Sequence, residues 1–179
     1  LGGNTTASYN TAVGRQALQA NTTGGENVAV GYGAMYLNTT ASNNTAVGKT
    51  ALYHTTTGAN NTALGRGTLE ANTTGSSNTA TGYYALTANT TGTSNVAVGN
   101  NALDACTTSV SNVAVGNGAG GAVTTGNGEN VFVGNNAGAG VTTGQQNIIL
   151  GDNACANGTM TGNLNVIIGD NAGLVNTTG

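Results

Sequence analysis

A chain of 179 residues with 31 glycines, no proline, no tryptophan and only 5% charged residues lacks both the strong charge and the proline content that ordinary disorder requires. Its formal net charge is −3, and its three cations, Arg15, Lys49 and Arg66, provide no basic stripe for a phosphate backbone, so nucleic acid is not an expected partner. No apolar run approaches the roughly 18 residues of a membrane span, and none is expected to act as one.

In chain order, the sequence opens at Leu1 in mid-repeat, without a methionine or a signal peptide, and reads as a processed product or a segment of something longer. The first whole unit starts with Asn10 to Gly14. It recurs from Asn27, Asn44, Asn61, Asn78, Asn95 and Asn112, and in bulkier form from Asn130, Asn147 and Asn165. These asparagines are 17 residues apart, except for two steps of 18, Asn112 to Asn130 and Asn147 to Asn165. A period this strict predicts an all-β parallel solenoid, or β-roll, of about ten coils. At about 4.8 Å per coil the rod would be roughly 48 Å long. Residues 1–179 form one repeat domain, with N-x-A-V-G-x-x-A-L coils over 1–116 and N-V-[FI]-[VI]-G-x-N-A-G coils over 117–179.

With the leading asparagine as position 1, positions 1 to 5 alternate and are rich in Val, Thr and Ala. This predicts a short strand ended by Gly, with positions 2 and 4 on one face and position 3 on the other. The asparagines should stack in one line and exchange amide hydrogen bonds from coil to coil. Positions 8 and 9, as in Ala17-Leu18 and Ala34-Met35, predict a second short strand or a loose turn. The closing N-T-T-G, as in Asn21 to Gly24, Asn72 to Gly75 and Asn89 to Gly92, has the residues that left-handed turn conformations prefer.

Two columns trade volume along the chain. Position 9 is Leu or Met through Leu103 and then Gly120, Gly138, Cys155 and Gly173; position 3 is Ala through Ala114 and then Phe132, Ile149 and Ile167. Cores tolerate exchange best when total volume is kept, so these columns should face each other across the coil. Phe132 should lean over the small pair Ala114 and Gly120. The two 18-residue steps should be absorbed in turns near Asn127-Gly128 and Asn157-Gly158, because a slip inside a strand would turn its apolar column outward.

Little in the chain suggests catalysis, and no enzyme, cofactor or metal site is expected. His54 is the single histidine and reads as a loop residue. Asp152 and Asp170 share position 6 with Asn100, Asn117 and Asn135, and read as solvated turn residues rather than a ladder for a hard cation. Cys106 and Cys155 lie three turns apart in different columns, too distant for a disulfide. Glycosylation sequons at Asn4, Asn21, Asn38, Asn43, Asn60, Asn72, Asn89, Asn157 and Asn176 read as by-products of the turn sequence. Tyr32, Tyr36, Tyr53, Tyr83 and Tyr84 are candidate surface contacts for a subunit, a cell-surface glycan or a receptor.

The unit N-V-A-V-G-x-x-A-L-x-x-N-T-T-G resembles repeats of viral surface glycoproteins and of phage or bacterial tail-fibre-like proteins. The later copies, Asn130 to Gly138 and Asn165 to Gly173, are the most similar to the tail-fibre version. The N-x-A-x-G core also resembles the head repeats of trimeric autotransporter adhesins, left-handed parallel β-rolls with three chains to a head. The resemblance implies a structural fibre, shaft or filament segment, in an extracellular, cell-surface or virion-surface setting, with a role in adhesion or host attachment.

Both strand faces are apolar, which asks for cover on both sides and predicts a parallel homo-oligomer, a trimer or filament, with position 4 at the seam. The competing reading is an ice-binding solenoid with threonine columns at positions 2, 13 and 14. Flat arrays of that kind need Thr-x-Thr on one side, whereas Thr22 and Thr23, adjacent in sequence, point apart.

Overall fold

A computed structural model describes residues 2–126 and 128–173. Leu1, Asn127 and the sequon asparagine Asn176 lie outside them.

Ten three-residue strands stack as one parallel sheet in sequence order, β1 Thr11–Val13, β2 Val28–Val30, β3 Thr45–Val47, β4 Thr62–Leu64, β5 Thr79–Thr81, β6 Val96–Val98, β7 Val113–Val115, β8 Val131–Val133, β9 Ile148–Leu150 and β10 Val166–Ile168. Each coil therefore rests only on its neighbours, and the chain is a parallel β-solenoid with a spacing near 17 residues. Position 3 pairs with position 3 throughout, from Ala12 on Ala29 to Phe132 on Ile149 and Ile149 on Ile167. From β2 to β9 this central residue is fully buried, and positions 2 and 4 face outward, as their alternation predicts.

The strand ends where position 5 turns. Gly99 has φ +143°, and a Cβ there would lie 2.6 Å from the carbonyl carbon of Gly116 in the next coil, so only glycine fits.

Positions 6 to 11 form consecutive turns, not a second strand, yet keep coil-to-coil bonds such as Leu18 N–H to Ala34 O at 3.0 Å and Ala20 N–H to Tyr36 O at 3.1 Å. The left-handed residues are not those of N-T-T-G. They stand at positions 7, 9 and 17, and include Leu18, Met35, Leu52, Leu69, Leu86 and Leu103, with φ between 49° and 52°. An L residue in this conformation costs about 1–2 kcal/mol. Complete burial of a Leu or Met side chain contributes about 1.5–3 kcal/mol, which offsets it. In the later coils Gly120, Gly138 and Gly173 adopt the same conformation without that cost. The glycines of N-T-T-G answer to crowding instead, since a Cβ on Gly92 would meet the Ser109 carbonyl oxygen at 2.5 Å.

Positions 3 and 9 do share the interior. A Cβ on Gly138 would enter the ring of Phe132, and one on Gly120 would lie 2.7 Å from the same ring and 2.8 Å from Leu103. Phe132 thus fills its own coil and leans over the preceding one. Both 18-residue steps leave the strands aligned, with Val113 on Val131 and Ile148 on Val166. At the first, Thr124 and Glu129 keep their coil-to-coil bonds to Thr142 and Val110, which brackets the extra residue in the turn between them. The second lies between Ala156 and Met160, where Met160 has moved opposite Val141.

Two asparagine ladders brace this scaffold, one along its whole length and one in its first half. In the first, Oδ1 of each position-1 asparagine accepts the backbone N–H of the next: Asn10 from Asn27, Asn27 from Asn44, Asn44 from Asn61, Asn61 from Asn78, Asn78 from Asn95 and Asn95 from Asn112, all at 2.8–3.0 Å. The line continues through Asn130, Asn147 and Asn165. Nδ2 reaches across the coil to the position-15 carbonyl, as from Asn61 to Gly75 at 2.9 Å and from Asn78 to Gly92 at 2.9 Å.

The second ladder, at position 12, was hidden by reading N-T-T-G as turn chemistry. Asn21, Asn38, Asn72 and Asn89 are fully buried, and each donates Nδ2 both to its own position-15 carbonyl and to position 12 of the preceding coil. The position-15 carbonyl therefore accepts from both ladders. From Cys106 onward the column turns apolar, through Val123 and Val141 to Met160, in the same coils where position 9 shrinks.

Two acceptors are left without a donor, Asn38 Oδ1 and Asn89 Oδ1, because the next coils carry Thr55 and Cys106 instead of asparagine. A buried unsatisfied acceptor costs about 1–3 kcal/mol. Thr55→Asn would donate to Asn38 and accept from Asn72, closing the gap on both sides. It should raise stability by about 1–3 kcal/mol in thermal unfolding. Cys106→Asn should give no comparable gain, since its own Oδ1 would face Val123 and the orphaned acceptor would only move one coil along.

Candidate functional surfaces

Two long surfaces are left once the interior and the ladders are accounted for. The first is the outward face of the sheet. Position 4 runs Val13, Val30, Val47, Leu64, Thr81, Val98, Val115, Val133, Leu150 and Ile168, with Leu64 48% and Val133 40% exposed. Position 2 beside it holds Thr11, Val28, Thr45, Thr62 and Thr79, then Val96, Val113, Val131, Ile148 and Val166. Together they make a largely β-branched stripe, two columns wide and ten coils long, with the apolar character increasing toward the second half.

The second surface is the ridge at position 6, just past the strand-ending glycine. Its residues are Arg15, Tyr32, Lys49, Arg66 and Tyr83, followed by Asn100, Asn117, Asn135, Asp152 and Asp170. All three cations of the chain therefore stand in one column. Sequence reading counted them without placing them in the repeat, although the 17-residue register would have shown it.

In the first half the ridge is held by ring contacts. Arg15 and Lys49, from the coils on either side, each lie 5.9 Å from the Tyr32 centroid, and Arg66 lies 5.6 and 5.7 Å from the rings of Tyr83 and Tyr84. Tyr32 and Tyr83 are exposed, as a contact residue must be. Tyr36, Tyr53 and Tyr84 are half-buried and packed among themselves and on glycine: Tyr36 stacks on Tyr53 at 5.0 Å, Tyr53 covers Gly33, and Tyr84 covers Gly67. His54 is exposed, with its ring edge-on to Tyr53 at 4.9 Å.

In the second half, position 6 satisfies itself. Asn117 Nδ2 donates to Asn135 Oδ1 at 3.1 Å, and Asn135 Nδ2 donates to Asp152 Oδ1 at 3.0 Å. Asn153 and Asn171 donate to the carboxylates of Asp152 and Asp170. Asp152 is thus the acceptor end of an amide ladder, and Asp170 is held by its neighbour. Among the described residues no group of three or more His, Cys, Asp or Glu is placed to hold a metal ion.

The threonine columns are not equivalent. Position-13 hydroxyls donate to the position-13 carbonyl of the next coil, as from Thr22 to Thr39 at 2.9 Å and from Thr90 to Thr107 at 3.0 Å, and are half-buried. Position 14, including Thr23, Thr40, Thr57 and Thr74, is exposed. Adjacent threonines point apart, so they form no paired flat array. Among the sequons, Asn21, Asn38, Asn72 and Asn89 have their amides buried in the second ladder and closed to a glycan, whereas Asn4, Asn43, Asn60 and Asn157 are exposed.

Cys106 and Cys155 are both buried free thiols, and burial pushes the Cys106 thiol up to about 11, so neither is a ready nucleophile. A shallow groove lies over Ser8, Tyr9, Gly25, Glu26, Ser42 and Asn43. No helix of the described residues is long and apolar enough to cross a membrane. Comparison with protein-family models, with curated proteins and with solved structures returned no match.

Proposed function

We propose that the chain is a structural rod, the shaft, fibre or filament segment of an extracellular, cell-surface or virion-surface assembly, and that it associates with copies of itself. The observation that carries this reading is the outward sheet face: two columns of Val, Ile, Leu and Thr, unbroken over ten coils and uncovered. Position 4 alone is apolar in every coil but that of β5, where Thr81 stands, and an exposed stripe of this length exceeds what soluble monomers usually expose. Covering one such side chain contributes about 1.5–3 kcal/mol, so a column of them outweighs the entropy of association. A parallel trimer with position 4 at the seam fits this face and the resemblance to tail-fibre and adhesin-head repeats. The role is mechanical, in that stacked coils keep a rod stiff while the outer turn positions vary.

The ice-binding reading has less support, because the position-13 hydroxyls are engaged with carbonyls and β5 alone presents Thr-x-Thr on the outward face. Val30→Asp with Val98→Asp places charge in the stripe without touching the interior. Sedimentation of the double variant should show monomers that keep the wild-type β-sheet circular dichroism, against a defined oligomer for the parent. A parent chain that sediments as a monomer at all concentrations would refute the proposal.

A further inference from the structure

We propose that the first five coils carry a binding ridge for an acidic polysaccharide, formed at position 6 by Arg15, Tyr32, Lys49, Arg66 and Tyr83. One side chain per coil gives a single file with a step of about 4.8 Å. Among the described residues, ring contacts are the only interactions that the side chains of the three cations make, and all three residues are exposed, so their N–H groups are open to a ligand. The later half of the column carries no cation, and there Asn117, Asn135 and Asp152 close on one another.

The rings hold long, flexible side chains in place, which lowers the entropy lost on binding. They also leave the guanidinium forks of Arg15 and Arg66 open to a carboxylate or sulfate. Arg15 and Lys49, from the coils on either side, both crowd the ring of the exposed Tyr32 at 5.9 Å. A nucleic-acid base needs an open ring face to stack on, and three cations neutralise few phosphates. A uronate- or sulfate-bearing glycan needs neither. Its anionic groups meet the guanidinium and ammonium groups, its hydroxyls meet the phenol oxygens of Tyr32 and Tyr83, and its extended form matches a ridge one residue wide. The surface setting in which this would operate rests on the rod function proposed above, whereas the binding itself does not.

The test is titration of the whole chain at low salt with polygalacturonate, dextran sulfate, neutral dextran and oligothymidylate. Binding to one or both acidic glycans is expected, with none to neutral dextran, and which of the two binds identifies the anion. Affinity should fall on the order of tenfold or more for a tenfold rise in salt. The variant Arg15→Gln/Lys49→Gln/Arg66→Gln should lose binding at unchanged circular dichroism, and Asp152→Asn/Asp170→Asn should keep it. Failure of both acidic glycans to bind, full binding by the triple variant, or oligothymidylate bound as tightly as the glycans would each overturn the proposal. The triple variant lies outside the strands and should keep the parent's sedimentation. A parent that never self-associates would therefore refute the rod assembly while leaving the ridge standing.

Discussion

Asn78→Asp, the replacement of one nitrogen by oxygen, is expected to destabilise the rod by about 3–5 kcal/mol at neutral pH, the range for an uncompensated buried charge. Asn78 Oδ1 accepts the Asn95 N–H at 3.0 Å, and a carboxylate could still do that. Its Nδ2, however, donates to Gly92 O at 2.9 Å and Asn61 Oδ1 at 3.1 Å, and an oxygen there would face two acceptors. Burial and this repulsion both raise the carboxyl's folded pKa above the ordinary range near about 4. The protonated acid can donate to Gly92 in place of Nδ2. Stability is therefore retained below the unfolded-state pKa and lost as pH rises through the raised folded value. Thermal unfolding should show a smaller deficit near pH 3 than at pH 7. Asn78→Ala, which strands the Asn95 N–H without adding charge, should cost less, about 1–3 kcal/mol, and show no such pH dependence. Equal effects of the two substitutions at pH 7 would mean that the ladder is not dry.

Phe132→Ala should cost about 3–5 kcal/mol, because it empties the interior of two coils at once. Gly138→Leu alone should also destabilise, since its side chain would enter the ring. Combined, they recreate the Ala and Leu pair of coils three to six, and the double variant should be more stable than Phe132→Ala by at least about 1 kcal/mol. Contacting residues couple by about 0.5–3 kcal/mol, and here the sign is favourable. Recovery should remain partial, because Gly120 in the preceding coil would still lack its cover. Adding Gly120→Leu should recover more, as denaturant midpoints would show.

What the sequence disclosed and what it concealed follow from one distinction. What the alternation of the strand and the volumes of the columns fix was legible: the Asn10-to-Asn165 ladder, the aligned strands, and the exchange of volume between Leu103 and Gly138 on one side and Ala114 and Phe132 on the other. The 18-residue steps were placed correctly because a glycine turn tolerates an extra residue and a strand does not. The left-handed backbone at Leu18 or Met35 was concealed, because those residue types ordinarily avoid it and only burial compensates. The second ladder was concealed because Asn72 and Asn89 suit an exposed turn equally well, and the choice depends on a neighbouring coil. The position-6 ridge joins unlike residues, Arg, Tyr and Lys, so its unity appears only when the column is read down the rod.

In the regular coils each ladder bond joins a residue to the one 17 away, as Asn78 to Asn61 and Thr90 to Thr107. A cut that removes any 17 consecutive residues from this part brings chemically equivalent groups together at the junction. Excising 61–77, for example, would join Asn60 to Asn78, and the strand and ladder partners of the lost coil would find substitutes of their own kind. The molecule would shorten by one step of about 4.8 Å and otherwise keep its form. Its reach is therefore a quantity that duplication or deletion of whole units in the gene can lengthen or trim, with no coil needing to be invented for the purpose.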